Sequence, residues 1–338
     1  MPAMMFVMNG ITVLIVWVGA HGIDMGTLQV GDMMAFITYT MQIVMAFLMI
    51  TMVSVMLPRA AVAAERIQEV LDSETKIENP EHPEQVARHS GRIVFDHVSF
   101  RYPGSDEDVL TDMNFTAEPG QTTAIIGSTG SGKSTLVQLI PRLFDVTKGR
   151  ITIDGVDVRN MDLHELRGSI GYVPQKGVLF SGTIDSNLRF GAQDASEVQI
   201  REAAEIAQAL DFIEEKPEGF EAPIAQGGTN VSGGQKQRLS IARAIAKNPK
   251  LYVFDDSFSA LDYKTDFKLR QALSSKVSQA TVVIVAQRIN TILHADKILV
   301  LDEGKIVGEG THEELLAHNE IYRQIAQSQL SQEELTGS

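Results

Sequence analysis

Residues Gly127 to Ser134 read Gly-Ser-Thr-Gly-Ser-Gly-Lys-Ser, the G-x-x-x-x-G-K-[ST] spacing. Its glycines let a backbone wrap closely around phosphate, and successive N–H groups at a helix start present positive potential to it. Lys133 has the reach for β- and γ-phosphates, and the Ser134 hydroxyl is a hard oxygen suited to Mg²⁺. An apolar stretch, Thr122 to Gly127, leads into the loop, and residues 133–144 read as a helix after it. Strand, loop, helix is the order this motif requires. The loop implies a nucleoside triphosphate and nothing narrower.

Two further motifs narrow it. Leu251-Tyr-Val-Phe-Asp-Asp256 is an apolar strand ending in paired carboxylates, which suits a Mg²⁺ site at Asp255. Val231-Ser-Gly-Gly-Gln235 opens a segment read as a helix over 233–247, and a helix N-terminus with paired glycines is a second anion site. Alone, the first is any strand end capped by acids and the second an ordinary loop. Their order and spacing remove those plainer readings.

Together the motifs resemble the ATP-binding cassette (ABC) superfamily, specifically the exporters with membrane spans fused ahead of the cassette, and the resemblance covers the whole chain. It implies an α/β P-loop NTPase cassette with a helical subdomain (about 163–247), preceded by part of an all-α membrane domain. It implies that Tyr102 stacks on adenine, and that Gly127, Ser128, Thr129, Gly130, Ser131, Gly132, Lys133, Ser134 and Thr135 hold ATP. Gln175, in GYVPQ, stands where a glutamine contacts Mg²⁺ and the attacking water, so that Ser134, Gln175 and Asp255 form the Mg²⁺ set. Ser232, Gly233, Gly234 and Gln235 match the signature that caps ATP held by the opposite cassette. Ser259 and Asp262, in SALD, match the loop coupling the two sites across a dimer, and Gln226-Gly-Gly stands where the family touches its coupling loops.

The chain departs from the family at the two positions expected to be catalytic. Asp256 replaces the usual Glu that polarises water, setting the carboxylate back by about an ångström, and misplacement on that scale costs about 100-fold. Gln287 replaces the usual switch His; its amide can hydrogen-bond a phosphate but carries neither proton nor charge. Ser257, Phe258 and Val231 are milder changes. Weakened catalysis beside intact binding residues resembles the degenerate-site subunit of a heterodimeric exporter whose partner half-transporter keeps the Glu and His. The alternatives are a slow homodimeric exporter and an ATP-gated regulatory cassette with little turnover.

The elements that must position these residues read as α/β. Apolar runs at 251–254, 281–286 and 298–301 alternate with helical patterns, which argues for a largely parallel sheet. RIVFDHVSFRY, from Arg92, alternates like a strand. Residues 58–71 read as a cytosolic helix, 72–90 turn polar with Pro80 and Pro83, and QSQLSQEELTGS is a polar end expected to fray. The domains expected are a partial membrane domain at 1–57, a helix and linker at 58–90, and the cassette at 91–338.

Charge divides the chain in the same way. All 29 Lys and Arg follow Pro58, only Asp24 and Asp32 of the acids precede it, and 12 of the 14 Met lie there too. Residues 4–20 and 33–57 are uncharged runs, one at the short end for a spanning helix and one long enough to span with tilt. Arg59, Arg66 and Lys76 put the cassette in the cytoplasm by the positive-inside rule. A multi-pass bacterial cell-membrane location is expected, with membrane lipid and an unidentified transported substrate as partners. Two spans against the family's six suggest a partial chain, the two resembling the fifth and sixth. The net charge of −14 and the lack of a basic stripe exclude a nucleic-acid binder, and the absence of Cys excludes a disulfide scaffold.

Overall fold

The computed structural model describes residues 2–73, 75–87, 89–276 and 279–329. The chain forms two compact units that divide between Lys76 and Ile77.

The first unit is a helical hairpin of α1 (Pro2–Asp24) and α2 (Val30–Leu71). Both helices are long and apolar enough to cross a membrane. Gly19 lets them meet: a Cβ there would lie 2.9 Å from the Met33 side chain. Asp32 closes the start of α2 by accepting from the Gln29 N–H at 3.1 Å. The helix read at 58–71 is the end of α2, which runs unbroken through Pro58 over 42 residues, about 63 Å.

The second unit begins with β1 (Ile93–Phe100), β2 (Leu110–Ala117) and β3 (Thr122–Gly127). Helix α3 (Lys133–Leu139), β4 (Lys148–Ile153), β5 (Val156–Asp157), α4 (Leu163–Gly168) and β6 (Ile170–Val173) follow. A mostly helical stretch comes next: β7 (Gly182–Thr183), α5 (Ile184–Leu188), α6 (Glu197–Ile206), α7 (Leu210–Glu214), β8 (Pro223–Ile224) and α8 (Gly233–Ala246). The chain returns through β9 (Leu251–Asp255), α9 (Tyr263–Lys276), β10 (Thr281–Val285), β11 (Lys297–Asp302) and β12 (Lys305–Gly310) to α10 (His312–His318) and α11 (Glu320–Gln329).

Six strands form the central sheet in the order β12-β11-β3-β10-β9-β6, parallel throughout except for edge strand β12. A second, antiparallel sheet runs β2-β1-β4-β5. Alternate residues of the parallel strands fill two cores. Tyr252, Phe254, Val282 and Ile284 join the core on the side of α8 and α11, whereas Leu251, Val253, Val283 and Val285 join the one containing α3 and the antiparallel sheet. Burial on both faces is why these strands read as unbroken apolar runs.

Two expectations need correction. The helix after the phosphate loop ends at Leu139 rather than 144, because Pro141 has no N–H for the next rung. The helical subdomain does not begin at 163, since β6 pairs in parallel with β9 inside the main sheet. The stretch expected as linker joins the second unit by residue 79: Asn79 Nδ2 donates to Asp162 at 2.9 Å, and Glu84 N–H donates to the Asn160 carbonyl at 2.8 Å. Of the end expected to fray, 327–329 close α11 and the remainder lies outside the described residues.

Candidate active site

Four neighbouring parallel strands, β3, β10, β9 and β6, deliver the segments carrying Gly127, Gln287, Asp256 and Gln175. Parallel strands all end on one side, so four segments far apart in sequence share one rim.

The 127–134 loop wraps as its glycines require. A Cβ on Gly127 would lie 2.0 Å from the Leu301 carbonyl oxygen. Gly132, at φ 96°, turns the chain into α3, where a Cβ would meet Leu110 at 2.7 Å. Lys133 is folded into its own loop, its ammonium donating to the Gly127 carbonyl at 2.9 Å and the Ser128 carbonyl at 2.7 Å. Burial lowers its pKa, opposed by Asp256 and Asp255.

The paired carboxylates separate into two environments. Asp255 accepts from the Ser134 hydroxyl at 2.8 Å, joining strand end to phosphate loop. Asp256 turns away at φ 46°, a left-handed backbone that Asp tolerates better than most residues, and its N–H donates to the Val285 carbonyl at 3.0 Å. Its Oδ2 accepts from two side-chain amides, Gln287 at 2.8 Å and Gln175 at 3.1 Å. The three polar positions expected near the γ-phosphate therefore meet at one carboxylate oxygen. Burial is the main force raising the pKa of both acids; for Asp255 the Ser134 hydrogen bond opposes it and the Asp256 charge adds to it, while for Asp256 the Gln175 hydrogen bond opposes it.

The Ser134 hydroxyl, the Asp255 carboxylate and the Gln175 amide carbonyl are all hard oxygen donors, a set that fits Mg²⁺. With one carboxylate among them, they leave the remaining coordination to phosphate oxygens and water, as Mg²⁺ prefers.

Tyr102 lies at the far end of the phosphate loop, its hydroxyl 3.0 Å from Thr135 Oγ1. Its ring meets Phe100 and Phe144 edge-on, at 4.9 and 5.2 Å between centroids. Ser232 caps α8: its hydroxyl accepts from the Gln235 N–H at 3.2 Å, and Gln235 Oε1 accepts in return from the Ser232 N–H at 3.0 Å. Among the described residues, no hydrogen bond joins 232–235 to 127–135. Ser259 donates to the Asp256 carbonyl at 2.9 Å, and Asp262 accepts from the Thr265 N–H at 3.0 Å. Gln226–Gly228 form a tight turn with both glycines in the left-handed region at φ 65°.

Two positioning residues, Gln237 and Arg243, escape the sequence reading, and Ser257 is read there only as a mild departure. Gln237, almost fully buried on α8, brackets the Gln175 loop by donating to the Pro174 carbonyl at 3.2 Å and accepting from the Gly177 N–H at 3.1 Å. Arg243, on the same helix, donates to the Asn187 carbonyl and side chain at 2.8 Å each and to the Val178 carbonyl at 2.9 Å. Arg243, interrupting the apolar stretch 241–246, was the available signal; Gln237 lies in the polar segment 235–238 and gave none. Ser257 reaches across to β6, donating to the Val173 carbonyl at 2.9 Å.

Residues 110–259 match the family model described as ABC transporter. An uncharacterized ABC transporter ATP-binding protein of Mycobacterium tuberculosis is 47% identical over 333 residues, covering 97% of this chain and 57% of the relative. A Bacillus subtilis protein of the same description is 45% identical over 98% of this chain and 57% of its own length. An ATP-dependent lipid A-core flippase of Methylobacillus flagellatus is 38% identical over 90% of this chain and 52% of its own length. Among solved structures, a bacterial Atm1-family ABC exporter with ATP bound aligns with a TM-score of 0.78 at 32% identity, covering 98% of this chain and 58% of that one. The chain spans just over half the length of the curated relatives it matches. Its fold is that of an ABC exporter: apolar N-terminal helices followed by a P-loop NTPase cassette.

Proposed function

We propose that the chain is the ATP-binding part of a membrane exporter subunit that couples ATP binding and hydrolysis to substrate translocation. Its cassette would face the cytoplasm from a bacterial cell membrane. The observation that carries this reading is the shared rim, where phosphate loop, Asp255, Asp256, Gln175 and Gln287 are within hydrogen-bond reach of one another in pairs.

In this reading ATP enters the 127–135 loop, and Lys133 exchanges its carbonyl partners for phosphate oxygens. The loop N–H groups and the start of α3 hold the phosphate charge. Ser134, Asp255 and Gln175 would hold Mg²⁺, which when bound neutralises charge between the terminal phosphates. Asp256 orients the attacking water and accepts its proton. Its burial raises its basicity and the two amide donors orient it, while its short side chain holds it back from the phosphate. The neutral Gln287 amide supplies a hydrogen bond where a His would supply charge.

The site is therefore suited to hold ATP longer than it turns it over. We propose that it is the weakened half of a heterodimer, with Ser232–Gln235 completing the competent site on a second half-transporter that keeps Glu and His. Because a flippase is among the relatives, an amphipathic lipid is the first substrate class to assay. The test is ATPase activity of the co-expressed pair. Asp256→Asn is expected to leave most turnover intact, and the partner's Glu→Gln to abolish it; the opposite result overturns the heterodimer reading. Appreciable turnover by this chain alone would support a slow homodimer.

A further inference from the structure

The end of α11 touches the segment that carries Gln287. The Gln329 side-chain amide spends both of its ends there: Nε2 donates to the Gln287 carbonyl at 2.9 Å, and Oε1 accepts from the Ile289 N–H at 2.9 Å. In an extended strand, the carbonyl of one residue and the N–H of the residue two further on point to the same side. A parallel neighbour in a sheet bonds to that pair. Gln329 thus takes the place of one residue of a neighbouring strand. Between the two bonds lies Arg288, which is extended at φ −106° and ψ 129°.

The bracketed residues reach two functional loops. Gln287 extends its amide to Asp256 at 2.8 Å, and Arg288 extends its guanidinium to the Ser259 carbonyl at 3.4 Å. An exposed glutamine contributes no core packing, while α11 is seated by the fully buried Tyr322 and Ala326. Gln329 is thus dispensable for folding, yet it fixes the backbone from which Gln287 leaves.

We propose that Gln329 is a positioning residue for ATP turnover. Acting through the backbone of 287–289, it holds the Gln287 amide on the Asp256 carboxylate and so places that contact under the control of the C-terminal helix. The inference rests on the nucleotide reading of the site, and its test separates the two.

Amide hydrogen exchange over 286–291 is compared between the unsubstituted full chain and Gln329→Ala, without nucleotide. Two lost hydrogen bonds are expected to speed exchange by about tenfold, with an unchanged melting temperature. Unchanged exchange overturns the bracket. In single-turnover ATP cleavage at this chain's own site, Gln329→Ala is expected to lower the cleavage rate constant about threefold to tenfold and to leave the half-saturating ATP concentration within about twofold. Combined with Gln287→Ala, it is expected to add no further loss, because both act through one side chain. An equal fall of the cleavage rate constant in the Gln287→Ala background, or a change confined to the half-saturating ATP concentration, overturns the positioning role. An unsubstituted protein that neither binds nor hydrolyses ATP overturns the reading of the site instead, and the exchange measurement still decides the bracket.

Discussion

In the proposed reading, Asp256 is where the chemistry of this chain is concentrated. Two neutral amides donate to one of its oxygens; burial opposes its ionised form, and the charges of Lys133 and Arg288 favour it. Replacing Asp256 with Glu and Gln287 with His lengthens the base and restores a group able to carry charge. That pair of changes is expected to raise turnover about tenfold to hundredfold, measured as single-turnover ATP cleavage. A second prediction concerns pH. Burial raises the pKa of Asp255 and Asp256 in the folded protein, so folding favours their protonated forms. Stability then falls as pH rises from the ordinary carboxylate value through the raised folded values. The double variant Asp255→Asn, Asp256→Asn is expected to melt above the unsubstituted protein at neutral pH in nucleotide-free, Mg²⁺-free buffer. Calorimetry should show that advantage shrinking as the pH is lowered toward the ordinary carboxylate value. Such variants gain stability while losing function, as is usual where a site needs unfavourable charge.

At the scale of elements, α8 does most of the positioning. It starts with the Ser232 cap, brackets the Gln175 loop through Gln237, and ties down 178 and 187 through Arg243. Ser232→Ala should cost about 1 kcal/mol of stability, the usual value of an N-cap, measurable by urea unfolding. Arg243→Met leaves the Asn187 and Val178 carbonyls without their donor and removes a cation from above Phe180 and Phe190, and should cost about 2 kcal/mol in the same measurement. The sequence announced α8 through Ser-Gly-Gly-Gln, because caps and glycines act locally. It did not announce the work of Gln237 or Arg243, whose partners lie 56 to 65 positions away. The same reason hid the place of β6: IGYV is short, and only its register with Tyr252 and Phe254 shows it to be part of the main sheet. The early end of α3 is legible in Pro141, although the apolar residues beyond it continue the helical pattern.

At the scale of the molecule, the division the charges announced at Pro58 falls further on, between Lys76 and Ile77. Composition locates the end of an apolar run, whereas the compact unit ends where long-range pairing begins, and polar residues such as Asn79 and Glu84 take part in that pairing. The body from residue 77 onward contains both cores and every residue of the candidate site. Produced alone without detergent, residues 77–338 are expected to fold, to melt in one cooperative transition and to bind ATP, with Lys133→Ala weakening binding at least about tenfold. Circular dichroism and nucleotide titration would check both points.

The parallel strands give the cassette two unlike rims. One carries 127–134, 175, 256 and 287; on the other, among the described residues, lie connections such as 119–121 and 248–250. The chemistry is therefore insulated from changes in length at the second rim, and vulnerable to them at the first. A reporter peptide spliced in at 119–121 should leave nucleotide affinity where it was, while the same splice within 128–132 should erase it. Such a body can acquire new attachments along one border while its motor stays constant.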